Sequence, residues 1–474
     1  MKKLIAILLL ATLCLSMLAL SGCGRRQVIA NADLSGSYDG SEVTITFYHT
    51  MSATNLQPVL DDAIAKFNEL YPNIHIEHKQ VGDYDGVRDQ IKTELTVGGQ
   101  PNIAYCYPDH VALYNVAKAV VPLDSLIANK TEVTRADGTK EIMGLTDEQI
   151  GNFIEGFYNE GRAYGDDKMY TMPFSKSTEV LYYNKTFFDA NNLKVPTTWD
   201  EMEAVCKQIK ALVPNSTPLG YDSEANWFIT MCEQYGSPYT SATKVDGTNF
   251  LFNNETNWAF VDRFAGWYAQ GLVTTKELLG GYTSNEFVKA EGELGKSYMS
   301  IGSSAGATHQ APAAVNGEYP FEVGIAPIPQ LDPNNRKVIS QGPSVCIFQQ
   351  ENEQEVYASW LFVKYLTTDI EFQASFSEAS GYVPVIKTVN EDELYQEFLN
   401  EADGFKTGIA AYSAKVCLEQ ADAYYVSPAF NGSSTARDEV GLLLQSCFTD
   451  YANASDKLAM IKEKFASAIE ECEY

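Results

Sequence analysis

Hydrophobic and polar positions alternate in a regular order along the chain. Between Glu42 and Tyr48, Val43, Ile45 and Phe47 alternate with threonines, the period-2 pattern of a strand with one buried face. Leu60, Ile64, Phe67 and Tyr71 then fall on one helical stripe that Pro72 stops. A second strand is predicted at Ile74 to Val81 and a second helix from about Tyr84 to Val97, ended by Gly98 and Gly99. A third strand opens at Asn102 to Cys106. Strand and helix alternating at these lengths predict an α/β fold with a parallel sheet under covering helices.

Further along, Thr198 and Glu201 form a capping box ahead of a helix carrying Met202, Val205, Ile209 and Leu212, with Pro214 as its stop. Val356, Trp360, Val363 and Leu366 make another helical stripe, and Leu458, Ile461, Phe465 and Ile469 a last one. Strand signals return at Ser297 to Ile301, Phe321 to Ala326 and Val345 to Phe348. One α/β unit cannot account for a chain of 474 residues, so two lobes are expected.

The N-terminus differs from all of this. Lys2 and Lys3 precede an apolar run from Leu4 to Leu20, the layout of a secretory signal. Leu20-Ser21-Gly22-Cys23 resembles the lipobox of bacterial lipoproteins, which implies a signal peptide over 1–22 and an acylated Cys23 as the first mature residue. Residues 23–40 are small and polar and read as a flexible tether. The chain is then expected on the outer face of the cell membrane, held by acyl chains.

Charge narrows the partners. Lys and Arg number 34 against 62 Asp and Glu, a formal net charge of −28 that repels phosphate backbones and excludes nucleic acid as a natural partner. Nine cysteines are scattered without a CxxC or Cys/His cluster, so no zinc site is expected and the cysteines read as small buried hydrophobes. His75 and His78 point to opposite faces of their strand. Asp83-Tyr84-Asp85-Gly86 reads as a polar turn, because the later calcium ligands are missing. Nucleophile elbows, HExxH helices, Walker loops and GxGxxG turns are absent, so no cofactor is implied and catalysis has no positive signal. Aromatic residues reach 12%, and Tyr and Trp offer the flat face and polar tip that suit sugars and polyols, although most such residues fill cores.

From about Val43 to Glu471 the chain resembles the extracellular solute-binding proteins that serve carbohydrate-type ABC importers. The likeness rests on Leu181-Tyr182-Tyr183-Asn184-Lys185 with Thr198-Trp199 behind it, on Gly295 to Ile301, on Val323 to Pro329, and on Ala379 to Pro384. It implies a two-lobed periplasmic-binding-protein-like fold, each lobe a mostly parallel sheet flanked by helices. Lobe one is expected at 41–175 and 343–383 and lobe two at 176–342 and 384–474, with hinges near Ser175–Val180 and Lys337–Ser344.

The nearest likeness within that family is to its glycerol-3-phosphate-binding members. It implies ligand contacts from Tyr84, Ser177, Ser303, the backbone of Gly342, Tyr382, and Arg437 as a phosphate partner. Where the family carries a glutamate for ligand hydroxyls, this chain has Pro108 with Asp109 beside it, so Asp109 is the candidate acceptor. Trp199 and Trp227 are candidate stacking faces. The implied function is capture of a sugar or polyol-type solute between the lobes and delivery to ABC permease subunits. A specific binder of glycerol-3-phosphate or glycerophosphodiesters is the alternative. Readings of other classes are a secreted carbohydrate-active enzyme with paired carboxylates and a surface adhesin.

Overall fold

The computed structural model describes residues 34–473. The signal peptide expected over 1–22, the lipidation of Cys23 and the first part of the tether lie outside the described residues. None of the helices among the described residues is long and apolar enough to cross a membrane.

Two five-stranded sheets organise the chain. The first runs in the order Ile74–Gln80, Val43–His49, Ile103–Cys106, Ser344–Ile347, Met172–Pro173. The second runs Val273–Thr275, Leu219–Tyr221, Met299–Ser303, Glu179–Asn184, Val323–Pro327. Local sequence explains the elements. Val43, Ile45 and Phe47 all turn into the core, as their alternation requires. Asp83 caps the helix Tyr84–Leu95 by accepting from the Gly86 amide at 2.9 Å. The Thr198–Glu201 box caps the helix Trp199–Leu212, which buries Met202, Val205 and Ile209.

Each sheet is mostly parallel in strand direction, as expected: four of its five strands run the same way and one runs against them. In the first sheet the strands at 43–49, 74–80 and 103–106 pair in parallel, whereas Ser344–Ile347 pairs antiparallel with both neighbours. The second repeats this: Glu179–Asn184 is antiparallel to Met299–Ser303 and to Val323–Pro327. The reversed strands are those that arrive directly from the other lobe. No covering helix precedes them to return the chain for a parallel entry.

Three stretches of chain lie side by side where the lobes meet. Ser177 and Gln341 exchange amide-to-carbonyl bonds of 2.9 and 2.8 Å, and Lys176 and Val383 exchange bonds of 3.1 and 2.7 Å. Lys176 is fully buried here, and its ammonium donates to Glu160 Oε1 at 2.6 Å, to Ser344 Oγ at 3.0 Å and to the Gly342 carbonyl at 3.2 Å. A buried charge is tolerated because it is paired and its remaining donors are used. Gly342 has φ +90°, and a Cβ there would stand 2.5 Å from the Ser175 carbonyl oxygen. Only glycine fits this approach of two crossovers.

Two boundaries differ from expectation. The tether does not run free to residue 40: Leu34 and Tyr38 are buried in the lobe-one core, and Asn129 Nδ2 donates to the Leu34 and Gly36 carbonyls. Apolar side chains within a polar stretch are enough to dock it. Lobe one also keeps the chain beyond 383, since Val385, Ile386, Val389, Tyr395 and Leu399 join its core. The helix Ile409–Glu419 then touches both sides, Ala414 and Cys417 facing the lobe-one core and Ile409 and Val416 packing with Val180 and Ile325. The last two helices, Ser433–Tyr451 and Lys457–Glu473, belong to lobe two through Val440, Leu444, Ile461 and Phe465. Seven cysteines from Cys106 to Cys472 are buried as free thiols, in keeping with their reading as small hydrophobes.

Candidate functional site

A cleft of about 560 Å³ separates the lobes. Lobe one contributes Tyr84 and Arg88 from the helix Tyr84–Leu95, and Tyr107, Asp109 and His110 from the start of the helix Pro108–Asn115. Lobe two contributes Asp222, Asn226, Tyr239 and Lys276, together with Ser434, Arg437 and Asp438 from the first turns of the helix Ser433–Tyr451. Ile339, Ser340 and Gln341 of the crossover, with Glu160, close its inner end.

Several features hold these groups in position. Arg437 donates from Nη1 to Asn226 Oδ1 at 2.5 Å, and its Nε lies 3.7 Å from Asp109 Oδ2 on the other lobe. Asn226 donates in turn to Glu179 Oε1 at 3.1 Å, and the Tyr221 hydroxyl donates to Glu179 Oε2 at 2.5 Å. Burial pushes the Glu179 carboxyl up to about 7, against the pull of those two hydrogen bonds. Asp222 accepts from the Thr283 amide and hydroxyl, both at 2.8 Å, and burial likewise raises its carboxyl above the usual range. Gly302 makes room for it, because a Cβ there would lie 2.6 Å from Asp222 Oδ2.

The cleft is acidic. Asp83, Asp85, Asp109, Asp222 and Asp438, with Glu160, Glu224 and Glu277, line it against Arg88, Lys276 and Arg437. Both arginines are already engaged across the gap. Arg88 reaches Ser434 Oγ at 3.1 Å and Asp438 at 3.8 Å on lobe two, while also pairing with Asp85 and Asp89 on its own helix at 3.0 Å each. The backbone bridges the lobes as well, from the Ala429 amide to the Ala163 carbonyl at 2.8 Å. Four polar atoms on the lining have no hydrogen-bond partner among the described residues, Tyr239 Oη, His110 Nδ1, Gln341 Oε1 and Ser427 Oγ; Tyr239 and His110 are the most buried of these residues, at 7% and 4% exposed.

The structure brings together some of the expected site residues and separates others. Tyr84, Asp109 and Arg437 line the cleft. Tyr382 sits behind Tyr84, their hydroxyls 3.2 Å apart, and is not on the lining. Ser177 is buried in the first crossover; Ser303 donates to it at 3.3 Å and caps the Ala305 amide, and neither serine reaches the cleft wall. Gly342 belongs to the second crossover.

Trp199 and Trp227 are not stacking faces. Both are buried in the lobe-two core, where Trp199 Nε1 donates to Gln234 Oε1 at 2.8 Å and Trp227 lies flat against Tyr221 at 4.8 Å. A large apolar ring beside a helix cap gains more from burial than from a wet wall. Asn226, Tyr239, Asp222, Lys276 and Arg88 escaped the sequence reading. Asn226 had a local signal, standing in the first turn after the Ser223 cap, and Arg88 had acidic neighbours in Asp85 and Asp89; nothing beside Asp222, Tyr239 or Lys276 in the chain marks them as cleft residues.

Residues 62–401 match the model of a family described as bacterial extracellular solute-binding protein. The chain is 23% identical over 371 residues to the sn-glycerol-3-phosphate-binding periplasmic protein of Yersinia pestis bv. Antiqua (strain Antiqua), covering 76% of this chain and 78% of that one. It is 22% identical over 375 residues to the multiple sugar-binding protein of Streptococcus mutans serotype c, covering 77% and 81%. Among solved structures, the GacH receptor of Streptomyces glaucescens, studied unliganded and with acarbose, superposes with a TM-score of 0.67 at 16% identity. That match covers 90% of this chain and 99% of the receptor. The two sheets with a cleft between them are thus the two-lobed fold of that receptor.

Proposed function

The chain belongs to the bacterial extracellular solute-binding protein family, and from that premise we propose that it captures an uncharged, hydroxyl-rich solute, a sugar or polyol, in the interlobe cleft. One observation carries this reading: the lining is rich in carboxylates, and its two arginines already hold partners across the gap. Hydroxyl groups donate to carboxylates without adding charge, whereas a phosphate ester would enter a field of its own sign. Tyr84, Tyr107 and Tyr239 supply the aromatic faces and polar tips that sugar rings use.

Within this reading Tyr84, Asp109 and Arg437 touch the solute, and Ser303 and Tyr382 support that wall from behind. Ser177 and Gly342 act in the hinge. The loaded protein delivers its solute to the permease subunits of an ABC importer from outside the membrane. Acyl chains on Cys23 keep it there, and a Cys23→Ala chain is expected in the medium instead of the membrane fraction.

A glycerophosphate ligand is the second reading, favoured by Arg437 on the lining and by the name of the Yersinia relative. A thermal-shift screen of mono- and oligosaccharides, polyols and glycerol phosphates separates the two. A ligand at 100 times its Kd adds about 2.7 kcal/mol to stability. Stabilisation by phosphate esters alone would reject the sugar reading, and product formation from a sugar would reject binding as the function.

A further inference from the structure

Arg437 and Asp109 face each other from opposite lobes, and no solute is needed to explain their contact. Arg437 is anchored on lobe two by a chain of three hydrogen bonds: Arg437 to Asn226, Asn226 to Glu179, and Tyr221 to Glu179. The helix that carries it is fixed by Ala436, Val440 and Leu444 in the lobe-two core. Its guanidinium is therefore held in one place. Asp109 is equally fixed on lobe one, where its Oδ1 accepts the His110 amide at 3.1 Å and leaves Oδ2 directed at Arg437 Nε, 3.7 Å away. The Asp109 side chain is 14% exposed and that of Arg437 36%, so water screens the pair from the arginine side while the carboxylate is poorly hydrated.

We propose that Asp109 sets the charge selectivity of the cleft, acting as a built-in carboxylate that competes with any anionic solute for Arg437. The inference rests on the interlobe cleft being the binding site. Of the three cations on the lining, Arg88 already lies between Asp85 and Asp89 and Arg437 faces Asp109, so an anion that binds Arg437 must displace Asp109 or sit beside it. Either choice costs affinity, because a displaced Asp109 loses its cation in a poorly hydrated place and a retained one repels the newcomer. A neutral polyol meets no such cost, since its hydroxyls donate to Asp109 and accept from Arg437 while the pair stays intact. Tyr239 Oη and His110 Nδ1, two of the unpartnered buried atoms of the lining, are further places for such a solute to bond. Asp109 is thus a specificity-determining residue, and Asn226 and Glu179 are positioning residues that keep its cation in place.

The test is calorimetric titration of inorganic phosphate and of sn-glycerol 3-phosphate into the wild type, Asp109→Asn, Asp109→Glu and the double variant Asp109→Asn/Arg437→Ala. Asparagine keeps the bond to the His110 amide and removes only the charge. Anion affinity should rise about tenfold or more in Asp109→Asn, return to the wild-type level in Asp109→Glu, and lose the gain in the double variant. Unchanged anion affinity in Asp109→Asn overturns the inference, and so does a gain that persists without Arg437. Thermal melts of all four proteins confirm that each variant folds. A wild type that binds no neutral sugar would defeat the sugar reading while leaving this comparison decisive, because it is read on anions alone.

Discussion

The lobe-two core and the interlobe cleft are both built from aromatic rings, yet they do opposite work. In the core, Trp199 lies against Trp227 at 6.1 Å, Trp227 against Tyr221 at 4.8 Å and Phe264 against Trp267 at 5.0 Å, all buried. In the cleft, Tyr84 and Tyr107 approach to 4.8 Å with carboxylates and arginines around them, and Tyr239 leaves its hydroxyl without a partner among the described residues. Ring content does not separate a site from a core. Unused hydrogen-bonding capacity does not separate them either, since Trp227 Nε1 also has no partner among the described residues; what the cleft adds to its rings is a lining of carboxylates and arginines, which a core excludes.

The largest expected effect that would sharpen this contrast lies in the core. Trp227→Ala should lower stability by about 3–5 kcal/mol, read as a drop in Tm. The surviving folded protein should still bind whatever solute stabilises the wild type. Loss of binding with little loss of stability would return Trp227 to the site.

Glu179 lies between the two regions, touching the core through Tyr221 and the cleft through Asn226. Its carboxyl is raised from 4.5 to about 7 in the folded protein, so the native state holds a proton that the unfolded chain releases earlier. Stability from this group is therefore fully present below pH 4.5 and is lost as pH rises through about 7, by about 3 kcal/mol in total. Glu179→Gln should flatten that part of the stability–pH curve measured by chemical denaturation. A wild-type curve without a decline between pH 4.5 and 8 would contradict the assignment.

Tyr239→Phe tests the cleft from the other direction. Removing an unpartnered hydroxyl should leave stability unchanged or slightly higher, while affinity for the bound solute falls about fivefold, or about 1 kcal/mol. Equal affinity would mean that the solute does not use this atom. The smallest effect is expected from Arg88→Ala, which cuts the contacts to Ser434 and Asp438 across the gap. Such a pair is worth about 1 kcal/mol or less. It should appear as a modest rise in the solute-free radius of gyration by small-angle scattering, at low salt only.

Much of the fold was legible in the chain because its signals are local. The alternation at Val43, Ile45 and Phe47, the Thr198–Glu201 box and the stripe from Val356 to Leu366 need no distant partner, and each element formed where its pattern placed it. The site was legible in part. Tyr84, Asp109 and Arg437 were reachable through resemblance and do line the cleft, whereas Trp199 and Trp227 carried the same aromatic signal into the core. Tyr239 and Asp222 could not be found, because a tyrosine or an aspartate acquires meaning only from what faces it.

The sequence by itself therefore determined the α/β elements, the acidic balance and the order in which strands and helices follow each other, all of which depend on neighbours a few residues away. Only the tertiary structure decided that one strand of each sheet runs against the other four, that Leu34 and Tyr38 dock on lobe one, and that Asp109 meets Arg437 across the gap. Those outcomes depend on contacts between residues tens to hundreds of positions apart. Burial and Coulomb forces act on distance in space, and sequence position alone does not give that distance.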